Sequence, residues 1–400
     1  MSSIFETFLS SPEMLETFSE RRFLDAMLRF SASLARAQAH LGLIPATAAQ
    51  SIIDTCKIEL FDVARIVRES GRAGSISVPL VKSLKDTVGL FNKDAAHFVH
   101  FGCASQDVID TALALVTRDA LSLIEADVNK AIAALLALAT RHAADPVLAR
   151  TLMQPASVTS FGLKCAGWAA PLVRSLQRLQ VASSNALSVQ LGGAVGTLAE
   201  MKGLGPQVME RMAADLKLKA PLFSWHTERD EWVALGCELG LLVGSLGKMA
   251  KDISLMSQYE VGEVAEPLEA GRGGSSAMGH KQNPVGCMVA LAASARAPQR
   301  VAALLATLPQ EHERALGNWQ AELAEWPGLL MSAHGAVRAM AQTLPGLQVD
   351  TQRMRANLDA VRAALPPDAA EEWFSPGLAV QAADLARAQV SALTALHHPA

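Results

Sequence analysis

The stretch CASQDVIDTALALVTRDALSLIEADVNKAIAALLALATRHAAD, residues 103–145, decides the fold. It contains neither glycine nor proline. Its apolar side chains recur at spacings of three and four, at Leu113, Val116, Ala120, Ile124, Val128, Ile132 and Leu135. That period is typical of an amphipathic α-helix. We therefore predict one long helix here, with an apolar face that must be buried against other helices.

Further long helices are predicted downstream, over residues 160–187, 227–256, 284–308 and 318–342. The helix at 284 is expected to start at Pro284, because proline suits the first helical position. Within 227–256, four glycines mark a face with almost no side chain: Gly236, Gly240, Gly244 and Gly247. Each glycine costs about 1 kcal/mol of helix propensity relative to alanine, so a neighbour is expected to pack closely on this face.

The composition supports an all-α chain. Of 400 residues, 50% are hydrophobic, 18% charged and only 5% aromatic, as in packed helices built from Ala, Leu and Val. No alternating strand pattern persists. We predict an N-terminal helical domain at 1–106, a central long-helix bundle at 107–345 and a shortened C-terminal helical domain at 346–400. Three prolines break the last domain, which is expected to hold two brief helices: Pro366, Pro367 and Pro376.

Charge and motifs exclude several classes of partner. Thirty-five Lys and Arg oppose 39 Asp and Glu, with no basic run, so no nucleic-acid partner is expected. Five scattered cysteines without a C-x-x-C pair indicate a reducing compartment, so we expect a cytoplasmic protein. The N-terminus lacks the pattern of a secretory signal, and no membrane span is expected. Nucleotide-cradling loops and metal-ligand clusters are absent from the sequence, which predicts no cofactor and no metal.

The most unusual segment is GRGGSSAMGHKQNP, residues 271–284. Glycines and hydrogen-bond donors stand directly before a predicted helix start. The free amides of that helix end and the Lys281 ammonium are expected to bind a carboxylate or an enediolate. The plain alternative is a polar connector between two helices.

Residues 274–284 resemble the fumarase/aspartase superfamily signature G-S-S-x-M-P-x-K-x-N-P, with Gly279 in place of the usual proline. The segment HFGCASQDVIDTA (100–112) is similar to the first conserved block of that superfamily, and 150–164 is similar to the second. Within the superfamily, the chain looks most like the bacterial 3-carboxy-cis,cis-muconate cycloisomerases. That likeness is carried by SVPLVK (77–82), LGGAVGTLA (191–199), WHTERD (225–230), SLGKMAKDISL (245–255) and PQEHERALGNW (309–319).

The resemblance implies a fold of three helical domains. In this family the five-helix bundles of four chains merge into a 20-helix core, and each active site is assembled from three chains. A homotetramer is therefore expected, and long apolar stripes on a lone chain favour an oligomer as well.

The resemblance also implies roles for particular residues. Ser275 would be the general base, with Lys281 and His100 as further catalytic residues. For Ser275 the alternative is a loop hydroxyl bonded to its own backbone. Arg314 fits a carboxylate ligand or a structural ion pair equally well, while His226 and His312 are expected to be structural. The residues implied in substrate binding are Asn283, Ser276, His280, Ser105, Gln106, Arg150, Thr151, Gln154 and Arg314.

Departures from the family pattern narrow the chemistry. Leu152 stands where many relatives have a histidine that protonates the leaving group. A departing carboxylate needs no such acid, whereas an amine does. The sequence thus predicts lactonisation of a small polycarboxylate, a 3-substituted cis,cis-muconate. Gly279, Gln282 and Ala104 replace larger or more basic groups, which raises sulfonate as the 3-substituent. The alternatives are a fumarate-releasing lyase of the same superfamily and a non-catalytic helical protein.

Overall fold

The computed structural model describes residues 4–269, 271–274 and 277–397. Within those residues the regular secondary structure is almost all α-helix. In chain order the helices are α1 (Ile4–Leu9), α2 (Pro12–Thr17), α3 (Glu20–His40), α4 (Ala46–Thr55), α5 (Val63–Ala73), α6 (Ser77–Phe91), α7 (Ser105–Arg141), α8 (Phe161–Ala186), α9 (Gly205–Leu216), α10 (Asp230–Met256), α11 (Val285–Ala306), α12 (Asn318–Thr343), α13 (Thr351–Ala363), α14 (Pro367–Phe374) and α15 (Pro376–His397).

Five of these helices, α7, α8, α10, α11 and α12, pack side by side as the central bundle. Their bounds confirm the five long helices predicted from the sequence, and the all-α class with them. The apolar face predicted for α7 is buried, since each of its seven side chains is at most 3% exposed. Burial of that face supplies the main stabilisation of so long a helix, because helix propensity alone is weak.

The glycine face of α10 packs mainly on helices of the same chain. A methyl group added at Gly236 or Gly240 would collide with Leu304 or Val301 of α11, and one at Gly247 would collide with Ser294. Gly244 is different, since a Cβ there would meet nothing within 4 Å. The predicted close neighbour is therefore α11, and only Gly244 is left facing away from it.

Helix α10 is also long and apolar enough, by length and composition, to cross a membrane. Its most apolar window is nevertheless 56% buried inside the bundle. The helix therefore has the hydrophobicity of a core helix.

The helices before the bundle pack on its outer side: α1 contacts α11 and α12, and α2 contacts α7 and α12. Helix α3 packs on α7, α4 and α9, with an inner face that includes Met27 and Phe30. Local sequence sets the helix starts here: the side chains of Ser11, Ser19 and Asp62 each accept a hydrogen bond from a backbone amide three residues later. Such N-caps typically stabilise a helix by about 1 kcal/mol.

The expectation of no strands was wrong at one important place. Strands β1 (Pro146–Thr151) and β2 (Gln154–Ser160) form an antiparallel hairpin between α7 and α8. A second, minimal pair joins β3 (Val264–Ala265) to β4 (Gln348–Val349). Buried, half-buried and exposed side chains follow one another in the hairpin without regular alternation, so the two strands could not be predicted from the polarity pattern of the sequence.

The C-terminal region was also predicted incorrectly. It forms three helices, α13, α14 and α15, and α15 extends over 22 residues. Pro367 and Pro376 stand at the first positions of α14 and α15, where proline is compatible with a helix. The prolines therefore start helices in this region, whereas we expected them to interrupt structure.

The bundle has two distinct ends, which we call the Ser105 end and the hairpin end. Helix α7 begins at Ser105 and runs 37 residues to the β1–β2 hairpin. At 1.5 Å per residue, the two ends lie about 54 Å apart. The loop between α10 and α11, which carries the signature segment, lies at the hairpin end: Arg150 of β1 pairs there with Glu263.

Candidate active site

At the Ser105 end, a buried carboxylate fixes the start of α7. Asp107 is fully buried and accepts hydrogen bonds from the amides of Ala104 (2.8 Å), Gly192 (2.9 Å) and Gly193 (2.9 Å). These bonds join the first turn of α7 to the glycine loop that follows α8. The backbone of Ser105 and Gln106, two of the predicted substrate contacts, is thereby held in place.

His226 donates a fourth hydrogen bond to Asp107. Its Nε2 lies 2.6 Å from Asp107 Oδ1, and the imidazole is only 3% exposed. A carboxylate can only accept, so Nε2 carries the proton, and Nδ1 faces Ser224 Oγ at 3.0 Å. The backbone oxygen of His226 also accepts from Gln106 Nε2 at 2.8 Å. His226 thus holds the first block in place, the kind of structural role predicted for it.

A buried ion cluster lies one helical turn further along α7. Arg229 donates to Asp110 (Nη1 to Oδ2, 2.8 Å) and, through Nε at 3.1 Å and Nη2, to Glu322 of α12. All three side chains are fully buried. The indole of Trp319 also donates to Asp110 at 2.9 Å. Sequence reasoning missed this cluster, because its members are separated by up to 212 residues. Their one local signal was the run of three charged residues, ERD, in WHTERD.

His100 is strained and incompletely paired. Its φ is 65°, in the left-handed region that non-glycine residues rarely adopt, and its buried Nδ1 has no hydrogen-bond partner in the structure described. Burial lowers the pKa of His100 to about 4, against the opposing effect of Asp107. The imidazole is therefore neutral at pH 7 and suited to hydrogen bonding rather than to binding a carboxylate by charge.

Arg314 lies at the Ser105 end, where its contacts do not include the structural ion pair that was one of its two predicted roles. Its Nη2 donates to the carbonyl oxygens of Gly193 (3.1 Å) and Ala194 (2.9 Å), and its Nη1 reaches Gln106 Oε1 at 3.5 Å. It forms no ion pair with the residues described. The guanidinium thus keeps its charge uncompensated while it is tied to the glycine loop, so it remains a candidate carboxylate ligand.

The hairpin presents two predicted substrate contacts at its tip. The register pairs Thr151 with Gln154 across a two-residue turn, and both side chains are exposed. Leu152 and Met153 form the turn with φ values of 49° and 67°, and Leu152 is 97% exposed. Two apolar residues in left-handed conformations at an exposed tip are costly, which is common at functional sites.

Arg150, another predicted contact, is engaged within the chain. It binds Glu263 through two parallel hydrogen bonds of 3.0 and 2.8 Å. Glu263 is fully buried and also accepts from Asn357 Nδ2 of α13 at 2.9 Å. This network ties the hairpin to the C-terminal region. Through these bonds Arg150 holds the second conserved block, residues 150–164, in position. Direct substrate binding by Arg150 stays a prediction.

Glu263→Gln is expected to lower the free energy of unfolding by about 2 kcal/mol, because the substitution removes the charge from a buried hydrogen-bonded carboxylate and leaves Arg150 without a counter-ion. Urea denaturation measures the loss. The matched control is Glu260→Gln, an exposed carboxylate on the same segment, which should change stability little. Equal effects of the two substitutions would contradict this account.

The signature loop borders a cleft of about 450 Å³ at the hairpin end. Lys281 and His280 are exposed there, and Asn283 is half-buried. The amide of Asn283 donates to Gly273 O at 2.8 Å, which closes the base of the loop. Ser275 and Ser276 lie outside the described residues, so their predicted roles stay predictions.

The predicted anion site at the start of α11 is occupied by the protein itself. The carboxylate of Glu266 accepts from the amides of Gly286 (2.9 Å) and Cys287 (2.8 Å). Arg272 lies 3.7 Å from the same carboxylate and donates to Thr343 at 2.9 Å. The expectation that these amides hold the substrate is therefore wrong, because an internal carboxylate already satisfies them. Lys281 and Asn283 remain available.

The predicted site residues thus form two groups, one at each end of the bundle. The Ser105 end holds the first group: His100, Ser105, Gln106 and Arg314. The hairpin end holds the second: Arg150, Thr151, Gln154, His280, Lys281 and Asn283. Within one chain the two groups are separated by the length of α7, so one chain alone does not bring them together.

Comparison with known proteins decides the family. A family model described as Lyase matches residues 7–298, well over half of the chain. The chain belongs to this lyase family of the fumarase/aspartase superfamily. Lyase-family relatives include the 3-carboxy-cis,cis-muconate cycloisomerase of Bradyrhizobium diazoefficiens, 43% identical over 92% of this chain and 82% of the relative. Nitrosuccinate lyase of Streptomyces davaonensis is 40% identical over 85% of this chain and 73% of the relative.

A solved lyase-family structure matches nearly the whole chain. The crystal structure of the 3-carboxy-cis,cis-muconate lactonizing enzyme from Pseudomonas putida superposes with a TM-score of 0.87 and 36% sequence identity, covering 99% of both chains. The all-α architecture of this chain is therefore shared along its full length, including the C-terminal helices.

Proposed function

We propose that the chain is a cycloisomerase that lactonises a 3-substituted cis,cis-muconate. Its relatives named for that reaction support the proposal. The observation that carries it is Leu152, which stands fully exposed at the hairpin tip where many lyases of the superfamily place a proton-donating histidine. Ring closure needs no acid at that point, because the group that leaves in the reverse reaction is a carboxylate.

The reaction balances without a cofactor. One carboxylate oxygen of the muconate bonds to a carbon of the diene, and the displaced π electrons move onto the other carboxylate as an enediolate. Lys281 and Asn283 stabilise that charge, and Ser275 delivers a proton to the α-carbon. A charged carboxylate becomes a neutral ester, so each turnover consumes one proton from solvent.

The active site is completed by other copies of the chain. The His100–Arg314 group and the Lys281–Asn283 group lie at opposite ends of the bundle within one chain, and the longest helix between those ends, α7, is about 54 Å long. Antiparallel packing of bundles would bring the Ser105 end of one chain to the hairpin end of another. The expected homotetramer supplies such packing, and the five free cysteines suit work in the reducing cytoplasm.

The direct test is loss of muconate ultraviolet absorbance together with uptake of one proton per molecule in weakly buffered solution. A carboxymuconate that remains unchanged would refute the proposal. The rival is a fumarate-releasing elimination, which the nitrosuccinate lyase relative favours. Formation of fumarate from nitrosuccinate or succinyl substrates, with muconate untouched, would establish that rival instead.

The finer proposal concerns the 3-substituent, which we take to include sulfonate. A Cβ at Gly279 would meet no atom within 4 Å, and Gln282 lines the hairpin-end cleft without a charge. Ala104 lies at the other end of the bundle, so its contribution requires a second chain. Open space and reduced basicity suit a bulkier tetrahedral anion.

We expect kcat/KM for 3-sulfomuconate to equal or exceed that for 3-carboxy-cis,cis-muconate. Gln282→Arg should shift the ratio toward the carboxy compound, because the added guanidinium binds a planar carboxylate in a bidentate manner. Steady-state assays of both compounds with wild type and variant measure the ratio. A strong wild-type preference for the carboxy compound would reject the sulfonate proposal and leave the cycloisomerase assignment intact.

A further inference from the structure

The two ends of the signature loop meet through backbone contacts at the loop base. The amide of Asn283 donates to Gly273 O at 2.8 Å, and Gly274 forms an antiparallel bridge with Gln282. Gly273 has a φ of 74°, and a Cβ there would lie only 2.7 Å from the Asn283 carbonyl oxygen. The close approach of the two ends therefore requires glycine at position 273.

One carboxylate contacts the chain on both sides of the loop base. Glu266, whose side chain is 7% exposed, accepts from the amides of Gly286 at 2.9 Å and Cys287 at 2.8 Å. These amides belong to the first turn of α11, which follows the loop. Glu266 Oε2 also lies 3.7 Å from Nη2 of Arg272, the residue directly before the loop base. Glu266 therefore joins the segment that enters the loop to the segment that leaves it.

The same contacts reach the bundle at Thr343, the last residue of α12. Arg272 Nη2 donates to Thr343 Oγ1 at 2.9 Å, and Thr343 is fully buried. A Cβ at Gly286 would collide with both of these groups, so the two side chains fill the space against the start of α11. We call Glu266, Arg272, Thr343, Gly286 and Cys287 the Glu266 cluster. It fixes the loop base to the ends of two bundle helices.

Charge within the Glu266 cluster suits a holding role rather than substrate binding. Glu266 faces Arg272, and the amides at the start of α11 add partial positive charge that favours the same carboxylate. Both side chains line the hairpin-end cleft beside Lys281 and Asn283. A carboxylate in this position would repel a polycarboxylate substrate. The place of Glu266 in the cleft is therefore explained by the segments that it holds together.

We propose that Glu266 is a positioning residue, whose contacts hold the loop base and thereby set where Lys281 and Asn283 stand in the cleft. Asn283 belongs to the loop base itself, and Lys281 precedes it by two residues. A shift of the base would displace both substrate-binding residues together. This inference rests on the proposed function and adds to it a residue that acts through its neighbours.

Glu266→Gln tests the proposal, because an NH₂ group replaces one of the two acceptor oxygens and the charge that faces Arg272 is lost. We expect kcat on 3-carboxy-cis,cis-muconate to fall about 10- to 100-fold, since the chemical step is sensitive to displacements of about 1 Å. KM should rise less than about threefold, because attraction between charges changes slowly with distance. The matched control is Glu269→Gln, which removes a 53% exposed carboxylate 3.5 Å from the same arginine and should change neither constant.

Arg272→Met disrupts the Glu266 cluster from the other side. Alone it should also lower kcat. The double variant Glu266→Gln/Arg272→Met should lose little more than the larger of the two single losses, because both side chains act on the same loop base. Losses that multiply would show that the two residues act independently, and would overturn the inference.

Amide hydrogen exchange measures the holding of the loop without any substrate. In Glu266→Gln, the amides of residues 277–287 should exchange about 10-fold or more faster than in the wild type, whereas those of α7 should be unchanged. Faster exchange across the whole bundle would indicate a merely structural role and would overturn the inference. An unchanged kcat in Glu266→Gln would overturn it as well, and so would a lower kcat without faster exchange at the loop.

The exchange result separates this inference from the proposed function. A wild type that leaves carboxymuconate unchanged, while exchange at the loop still depends on Glu266, would refute the proposed function and retain the placement of the loop by Glu266.

Discussion

Ser275→Ala is expected to lower kcat on carboxymuconate by about 10²- to 10⁴-fold, the usual contribution of a positioned acid–base group. The hydroxyl oxygen is the group that would exchange the α-carbon proton, and alanine removes it without adding bulk. Substrate binding through Lys281 and Asn283 remains, so KM should change much less than kcat. Stopped-flow absorbance at saturating substrate separates the two constants.

The control for Ser275→Ala is Ser254→Ala, which removes a hydroxyl from α10 that donates only to the Lys251 carbonyl. It should retain full activity. A Ser275→Ala enzyme with the kcat of the wild type would refute the proton-transfer role of that serine. The cycloisomerase assignment would survive such a result, because it is tested by the wild-type reaction.

Arg229→Met is expected to destabilise the fold by about 3–5 kcal/mol, the typical result of removing one partner from a buried ion pair. The substitution leaves Asp110 and Glu322 buried side by side without their shared cation. Its counterpart is Arg178→Met, which removes an Arg178–Glu238 pair whose arginine is 41% exposed and should cost about 1 kcal/mol or less. Denaturant unfolding of both variants measures the difference, and similar losses would contradict the role of the cluster.

The Arg229→Met penalty should also depend on pH. Burial already raises the pKa of Glu322 in the wild type, with Arg229 acting against that rise. Without Arg229 the pKa rises further above its unfolded value, so the folded state favours the protonated carboxyl. The loss in the free energy of unfolding that ionised Glu322 causes in Arg229→Met therefore becomes larger as pH rises through the neutral range. In mild acid, where the carboxyl is protonated, the variant regains that stability. A penalty that is constant over this range would show that lost packing, rather than charge, is responsible.

The long helices were predictable because their determinants are local. The spacing of Leu113, Val116 and Ala120 and the absence of glycine and proline are enough to indicate α7, and the structure confirms it. The signature loop was recognisable for the same reason, as an uninterrupted run of unusual residues. Predictions of this kind need no knowledge of distant parts of the chain.

The features that could not be predicted are contacts between distant segments. Nothing near Pro284 reveals that Glu266, at the far side of the signature loop, occupies the helix amides. Nothing near Arg150 reveals that Glu263 binds its guanidinium. In the tail, Pro376 was taken as a break because its place at the first turn of a long helix depends on the packing of α15 against α8. Such pairings are set by tertiary structure.

The length of α7 has a consequence for how the protein tolerates damage. In the proposed assembly, the two ends of each chain serve different catalytic centres. A substitution that inactivates the catalytic groups at one end leaves those at the opposite end intact, and these can still form an active site with an unaltered partner chain. Mixed assemblies of two differently defective chains would then contain some intact centres, so two inactive alleles can restore part of the activity in one cell.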